Sequence, residues 1–311
     1  MTSAASQPGM RAPIKRADFG PVSVFFGEKN GKYPDGNQVI VRGADVRAAF
    51  DAPLVSNSIG PEFDATELVI MGHIHEDHMA GLHRLPRAAV HVHEDDLAAA
   101  RSWDGLVAAF GVSDEARIAQ MLTRFQHELF YAPRPDAQGY ADGASWDLGG
   151  GIRVRAFHAP GHTAGHCVLL VEPEGVAFIG DIDLTGFGPY YGDASSSLRD
   201  FRRSLKMLPE IPATVWVTAH HRGVYTDRAR FLEDLAAYTA KLDERNERLI
   251  AMLGEGPKTL AQLVKQRLLY PPTYDSPWVD DAEAWTISEH LTELIAAGRV
   301  RVDEGSVYRL A

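Results

Sequence analysis

Residues 73–81 read His73, Ile74, His75, Glu76, Asp77, His78, Met79, Ala80, Gly81, so three imidazoles and two carboxylates fall within six positions, directly after an apolar run. Neutral imidazole and carboxylate together suit borderline divalent ions, zinc first, with iron or manganese also tolerated. The chain has one cysteine, Cys167, so any metal must be held by His, Asp and Glu. His73 and His75 are two apart and in an extended segment point to one side, whereas Asp77 and His78 are adjacent and diverge. That divergence suits a second ion beside the first. Asp77 also stands where a helix would begin before Met79 and Leu82, a favourable place for a carboxylate.

Further donors occur at Pro160-Gly161-His162-Thr163, at Gly180-Asp181 and at His220-His221, each at the end of an apolar stretch. Other groupings read as structure. His91, His93, Asp95 and Asp96 mimic the first cluster but lack an adjacent Asp-His pair, and read as a strand end and helix cap. His158 and His166 flank His162 and read as loop hydrogen-bonding or supporting residues. Asp183 competes with Asp181 as a bridging carboxylate.

The elements that must position these residues can be read from periodicity. Leu68 to Met71 is a continuous apolar strand, buried on both faces, that delivers the cluster at its carboxyl end. Strands are expected at Ala88–His93, Ile152–Phe157, Cys167–Val171, Val176–Ile179 and Ala213–Thr218. Short strands alternate from Pro21 to Asp51, and helices occupy much of 103–135, with Ser113 the expected cap of a helix from Asp114. Phe231, Leu235, Tyr238, Leu242, Leu249 and Met252 form the stripe of an amphipathic helix. Two capping boxes follow, Thr259 with Gln262 and Thr286 with Glu289, and then a hairpin from Arg299 to Leu310. The expected division is a flexible segment over 1–18, a catalytic domain over 19–226, and a helical linker with a winged-helix-like module over 227–311.

At 311 residues and 45% hydrophobic content the chain can bury a large core. Its formal charge of −11 weighs against a broad phosphate-neutralising surface. From Pro257 onward, six Lys or Arg face eight Asp or Glu, so the winged outline suits packing or homodimerisation better than nucleic acid. The lone cysteine suits a reducing cytoplasm. Neither a signal peptide nor an apolar run of about 18 residues is evident, so no membrane association is expected.

Taken together, His73-x-His75-x-Asp77-His78, Pro160-Gly161-His162-Thr163-x-Gly165-His166, Gly180-Asp181 and a late histidine resemble the metallo-β-lactamase-fold hydrolase superfamily over residues 20 to about 225. The resemblance implies an α/β fold, the four-layer αββα sandwich. It also implies two divalent ions: His73, His75 and His162 would hold one, Asp77, His78 and the late histidine the other, and Asp181 would bridge them. His220, directly after its strand, is preferred to His221 as that last donor. The expected activity is hydrolysis of an ester, thioester, lactone or amide carbonyl of a small molecule by metal-bound hydroxide, with Asp77 steering or relaying the proton. The alternatives are a phosphodiester-cleaving nuclease, for which Arg222 is a candidate phosphate contact, and a one-iron persulfide-dioxygenase-type oxidoreductase using His73, His162 and Asp181. A glycine-rich aromatic loop, Gly186 to Gly192, is expected on the wall of the substrate pocket with part of 103–140.

Overall fold

Val39, Ile40 and Val41 are consecutive β-branched residues, and all three are fully buried in the computed structural model, which describes residues 14–274 and 276–311. Successive side chains of a strand point to opposite faces, so both faces of this strand must be covered. They are. Val39 and Val41 join the layer that also holds Phe50, Val154, Leu169 and Phe178, whereas Ile40 packs with Phe63, Val69, Met121 and Phe125. Cys167–Glu172 alternates likewise: Leu169 and Val171 enter the first layer, Val168 and Leu170 a third, with Phe201, Trp216 and Phe231.

Two sheets separate these layers. The first runs in chain order: Arg16–Phe19 (β1), Val22–Phe25 (β2), Gln38–Arg42 (β3), Arg47–Phe50 (β4), Leu68–Ile70 (β5), Ala89–His93 (β6) and Gln138–Tyr140 (β7). It is antiparallel to β4 and parallel from β4 to β7. The second holds Ser145–Gly149 (β8), Ile152–His158 (β9), Cys167–Glu172 (β10), Val176–Phe178 (β11), Val215–Val217 (β12) and Val224–Tyr225 (β13), in spatial order β13-β12-β11-β10-β9-β8. Helices Trp103–Phe110 and Glu115–Glu128 cover the first sheet, and Leu198–Met207 and Arg228–Gly254 the second. The result is the expected helix–sheet–sheet–helix sandwich.

All six residues of the expected stripe on Arg228–Gly254 are buried, but against two partners. Phe231, Leu235, Tyr238 and Leu242 pack on the second sheet, while Leu249 and Met252 pack with Leu263, Leu291 and Val300 of the carboxyl-terminal elements. Those elements are Lys258–Thr259 (β14), the helices Leu260–Gln266 and Val279–Ala296, and the hairpin Val300–Asp303 (β15) and Val307–Leu310 (β16), forming a small sheet in the order β14-β16-β15. No helix among the described residues is long and apolar enough to cross a membrane.

Three local expectations change. The lead-in expected over 1–18 lies largely outside the described residues, and its end already forms part of β1. The cap of Glu115–Glu128 is Asp114, whose side chain accepts from the Arg117 amide, rather than Ser113. The Thr259–Gln262 capping box forms, but Thr286 and Glu289 do not make one, because their helix already begins at Val279 with Asp280 and Asp281 in its first turn. Glu289 instead accepts from the Leu198 amide at 2.8 Å, and Thr286 is buried within the helix.

Candidate metal centre

Strand direction brings the candidate residues to one edge. β4, β5 and β6 run parallel, so Asp51, the loop 72–78 and Asp96 all follow strand ends at the same side of the first sheet. In the second sheet β9 and β11 flank the antiparallel β10, and β12 is parallel to β11; the loops carrying His162, Asp181 and His220 therefore also leave together. The turn at Gly180 has φ +54, and a Cβ there would collide with the His166 ring, so glycine is required for Asp181 to turn inward.

Two groups of donors result, His73, His75, His162 and Asp181 in one, and Asp77, His78 and His220 in the other. His75 Nδ1 lies 3.1 Å from His162 Nε2, and His78 Nε2 lies 3.2 Å from His220 Nε2. Asp181 stands between: Oδ2 is 3.3 Å from His162 Nε2 and 3.9 Å from His73 Nε2, while Oδ1 is 3.1 Å from His78 Nε2 and 3.4 Å from His220 Nε2. Asp77 Oδ2 is 3.2 Å from His220 Nε2.

The outer nitrogens decide what fits between these groups. His75 Nε2 faces Asp193 Oδ2 at 2.9 Å, and His78 Nδ1 faces Asp51 Oδ2 at 2.7 Å. His162 Nδ1 donates to the Tyr190 carbonyl at 2.9 Å, and His220 Nδ1 donates to the carbonyls of Gly31 and Asp35, each at 2.8 Å. In a neutral ring whose outer nitrogen carries the proton, the inner nitrogen presents a lone pair. With the rings neutral, each close pair sets lone pair against lone pair, an arrangement that a proton on one ring or a shared cation relieves. Both nitrogens of His73, Asp77 Oδ2 and Asp181 Oδ1 are buried without a hydrogen-bond partner, which also suits metal coordination.

Charge agrees with geometry. Burial alone would raise Asp77 and Asp181, but the surrounding imidazoles hold both below the usual carboxylate range. In return, although burial resists charging His220, Asp181 and Asp77 raise it to about 10. Burial likewise opposes charging His75, and Asp193 outweighs it, holding that ring at about 9. The centre thus attracts positive charge, which protons on these rings or a metal ion can supply. Cys167 offers no competing thiolate, since burial pushes its thiol up to about 12.

Several supporting residues carry no motif in the sequence. Asp51 also accepts from the Gly72 amide at 2.6 Å. Asp96, read from sequence as part of a cap, ties two donor loops together: it accepts from Ile74 N at 3.0 Å, Thr163 Oγ1 at 2.7 Å and Gly165 N at 2.8 Å. Asp193 holds His75 and in turn accepts from the Tyr190 hydroxyl at 3.2 Å. The only sequence signal for Asp51 was an acid directly after an apolar strand.

The remaining candidates fall outside the two groups. His166 Nδ1 donates to the Ala159 carbonyl and its Nε2 accepts from Asp181 N, so it supports the loop. His93, Asp95 and His158 come close enough to hold an ion. His93 Nδ1 nevertheless accepts from the Asp95 amide, the cap expected from sequence, and His158 Nε2 donates to the Ala164 carbonyl. His91 takes the Trp146 indole N–H. His221 is half-buried and faces the cavity, as does Asp183, which burial and Asp181 raise to about 7. Arg222 donates to the Leu184 carbonyl.

A cavity of about 430 Å³ opens over the donors. Its lining includes Phe110 and Phe125, Phe187 and Tyr190 of the glycine-rich loop, and Tyr270 and Trp278 from the carboxyl-terminal part. The glycine-rich loop thus meets the expectation in part. Tyr191 departs from it: the ring is fully buried and its hydroxyl donates to His290 Nε2 at 2.7 Å.

Comparison with known proteins matches residues 67–220 to the metallo-β-lactamase superfamily. A hydroxyacylglutathione hydrolase of Methylococcus capsulatus is 32% identical over 42% of this chain and 50% of its own length. An atrochrysone carboxyl ACP thioesterase of Pseudocercospora fijiensis is 27% identical over 61% of this chain and 55% of its own. The chain spans about half the length of the curated relatives it matches. Among solved structures, a metallo-β-lactamase family protein from Thermus thermophilus superposes with a TM-score of 0.65 at 25% identity, covering 89% of this chain and 94% of that one.

Proposed function

Because the chain belongs to the metallo-β-lactamase superfamily, we propose that it is a metal-dependent hydrolase that cleaves an ester or thioester carbonyl in the cavity above the imidazole cluster. The observation that carries this reading is the set of inward ring nitrogens, each on a ring whose outer nitrogen has a partner, facing one another at 3.1 and 3.2 Å around Asp181. His73, His75 and His162 would hold one divalent ion, Asp77, His78 and His220 a second, with Asp181 shared. Zinc fits this all-nitrogen-and-oxygen set best, and iron or manganese would also be accepted. Such ions supply Lewis acidity, which polarises a carbonyl oxygen and brings the pKa of water to about 7.

The chain's own groups do the rest. Asp77 Oδ2, ionised despite its burial, is placed to accept a proton from an attacking water. Asp193 and Asp51 keep the His75 and His78 rings in the tautomers that aim a lone pair inward. The aromatic walls exclude bulk solvent from the reacting carbonyl. The relatives named as a hydroxyacylglutathione hydrolase and a carboxyl ACP thioesterase support the hydrolase class. Phosphodiester cleavage is less well supported, since no Lys or Arg lines the cavity among the described residues. A one-iron oxidoreductase would leave the second donor group without a role.

Elemental analysis of zinc- or manganese-loaded protein, with a screen of phenyl esters and thioesters, tests the reading. About two ions per chain and turnover are expected, and Asp181→Ala should lower kcat/KM more than about 100-fold, since it removes a donor shared by both groups. Loaded protein inert across the panel would overturn the proposal.

A further inference from the structure

We propose that the cavity selects uncharged carbonyl substrates bearing an aromatic or bulky apolar group, and rejects anionic thiol carriers of the glutathione kind. This rests on the hydrolase reading above and narrows its substrate class.

The argument is one of charge and shape along the walls. Besides the donor cluster, the carboxylates of Glu76, Asp183, Asp193 and Asp281 line the cavity, with no Lys or Arg among the described lining residues. At one edge Lys32 and Arg222 act on His221, with Arg222 also donating to the Leu184 carbonyl, and the other guanidinium groups nearby are engaged. Arg117 pairs with Asp281 at 2.9 Å, Arg124 bonds Glu128 and lies 4.8 Å from the Trp278 ring centre, and Arg245 donates to the Phe187 and Pro189 carbonyls. A substrate carboxylate entering here would shed water without gaining a Lys or Arg on the wall, among acids that already hold nearby cations: Asp281 takes Arg117 and Asp193 takes His75. Two divalent ions at the floor would outweigh Asp77 and Asp181, but they would face the reacting carbonyl, whereas a carrier would lie along the walls. The rest of the lining is largely aromatic or apolar, with Phe110, Met121, Phe125, Tyr190, Tyr270 and Trp278 around about 430 Å³. That volume takes a small aromatic ligand, and flat rings gain most from such surroundings.

A matched pair isolates the carrier charge. S-phenylacetyl-N-acetylcysteamine and S-phenylacetylglutathione share the acyl group and the thioester bond. With metal-loaded protein, kcat/KM is expected to favour the neutral ester at least about 30-fold. The inert S-benzyl thioethers of the same two thiols, compared by calorimetry, should show at least about tenfold tighter binding of the neutral one. Phe187→Arg, which places a cation at the rim, should narrow both gaps at least about threefold by improving the glutathione ligands. Equal or better performance of the glutathione members, or no narrowing in Phe187→Arg, would overturn the selection rule. If neither thioester were cleaved, the hydrolase reading would fall, while the thioether comparison would still decide charge selection.

Discussion

The imidazoles of the cluster differ in what holds their outer nitrogens, and this difference can be measured. His75 and His78 face the carboxylates Asp193 and Asp51, whereas His162 and His220 face backbone carbonyls. A carboxylate partner makes the ring a stronger donor and fixes its tautomer. Asp193→Asn should therefore weaken the ion held by His73, His75 and His162 by about 10–100-fold, and Asp51→Asn the other ion by a similar factor. Titration against a chromophoric chelator that resolves the two affinities checks this; equal weakening of both ions by either variant would contradict the assignment. The convergence of the two donor groups was legible in sequence because His73 to His78 are neighbours and the other donors sit at recognisable strand ends. Asp51 and Asp193 are single acids in separate turns, Asp96 ends the acidic run 94–96, and their roles exist only once distant loops converge.

At the scale of elements, the donor loops are irregular backbone, and side-chain acceptors replace sheet pairing there. Asp96 is the clearest case, since all three of its partners donate to it, and a carboxylate can accept from all three at once. Asn would turn an amide N–H toward one of these buried donors. Asp96→Asn should cost about 1–3 kcal/mol of stability and lower metal stoichiometry by loosening the loops of His75 and His162 together. Thermal melts with and without zinc would check it: a variant that melts normally and holds a full complement of metal would show the tether to be dispensable. Strands were the most legible elements, because Leu68–Ile70 and residues 167–171 are apolar throughout and buried on both faces. Thr286 with Glu289 misled because the spacing of a capping box also occurs inside a helix, where Glu289 serves a different helix by accepting from the Leu198 amide.

At the scale of the whole molecule, the carboxyl-terminal elements are joined to the sandwich by buried polar contacts that also shape the cavity. Across the junction Glu289 accepts from the Leu198 amide and Glu293 from Arg202, and within the carboxyl-terminal part the buried Glu283 accepts from the amides of Leu268, Leu269 and Tyr270, holding Tyr270 at the cavity wall. His290 sits at this junction, accepting from the Tyr191 hydroxyl on one nitrogen and bonded to Asn246 on the other, with Arg202, Arg245 and Glu293 nearby. Burial, aided by Arg245 and Arg202, lowers its pKa to about 3. Unfolded, the same ring would titrate near 6.5. Above about pH 6.5 both states are neutral there and His290 adds no pH dependence. Between about 6.5 and 3 the unfolded chain binds a proton that the folded chain does not, so stability falls with falling pH, by at most about 1.4 kcal/mol per unit. The cluster histidines also titrate, so the informative quantity is the gap between wild type and His290→Gln. Denaturant unfolding at pH 7.5 and 5.5, after chelator treatment of both proteins, should show that gap narrow by about 1 kcal/mol at the lower pH, because only the wild type loses the His290 contribution. A gap independent of pH would mean that the junction accommodates a charged imidazole and that the carboxyl-terminal elements are held by other contacts.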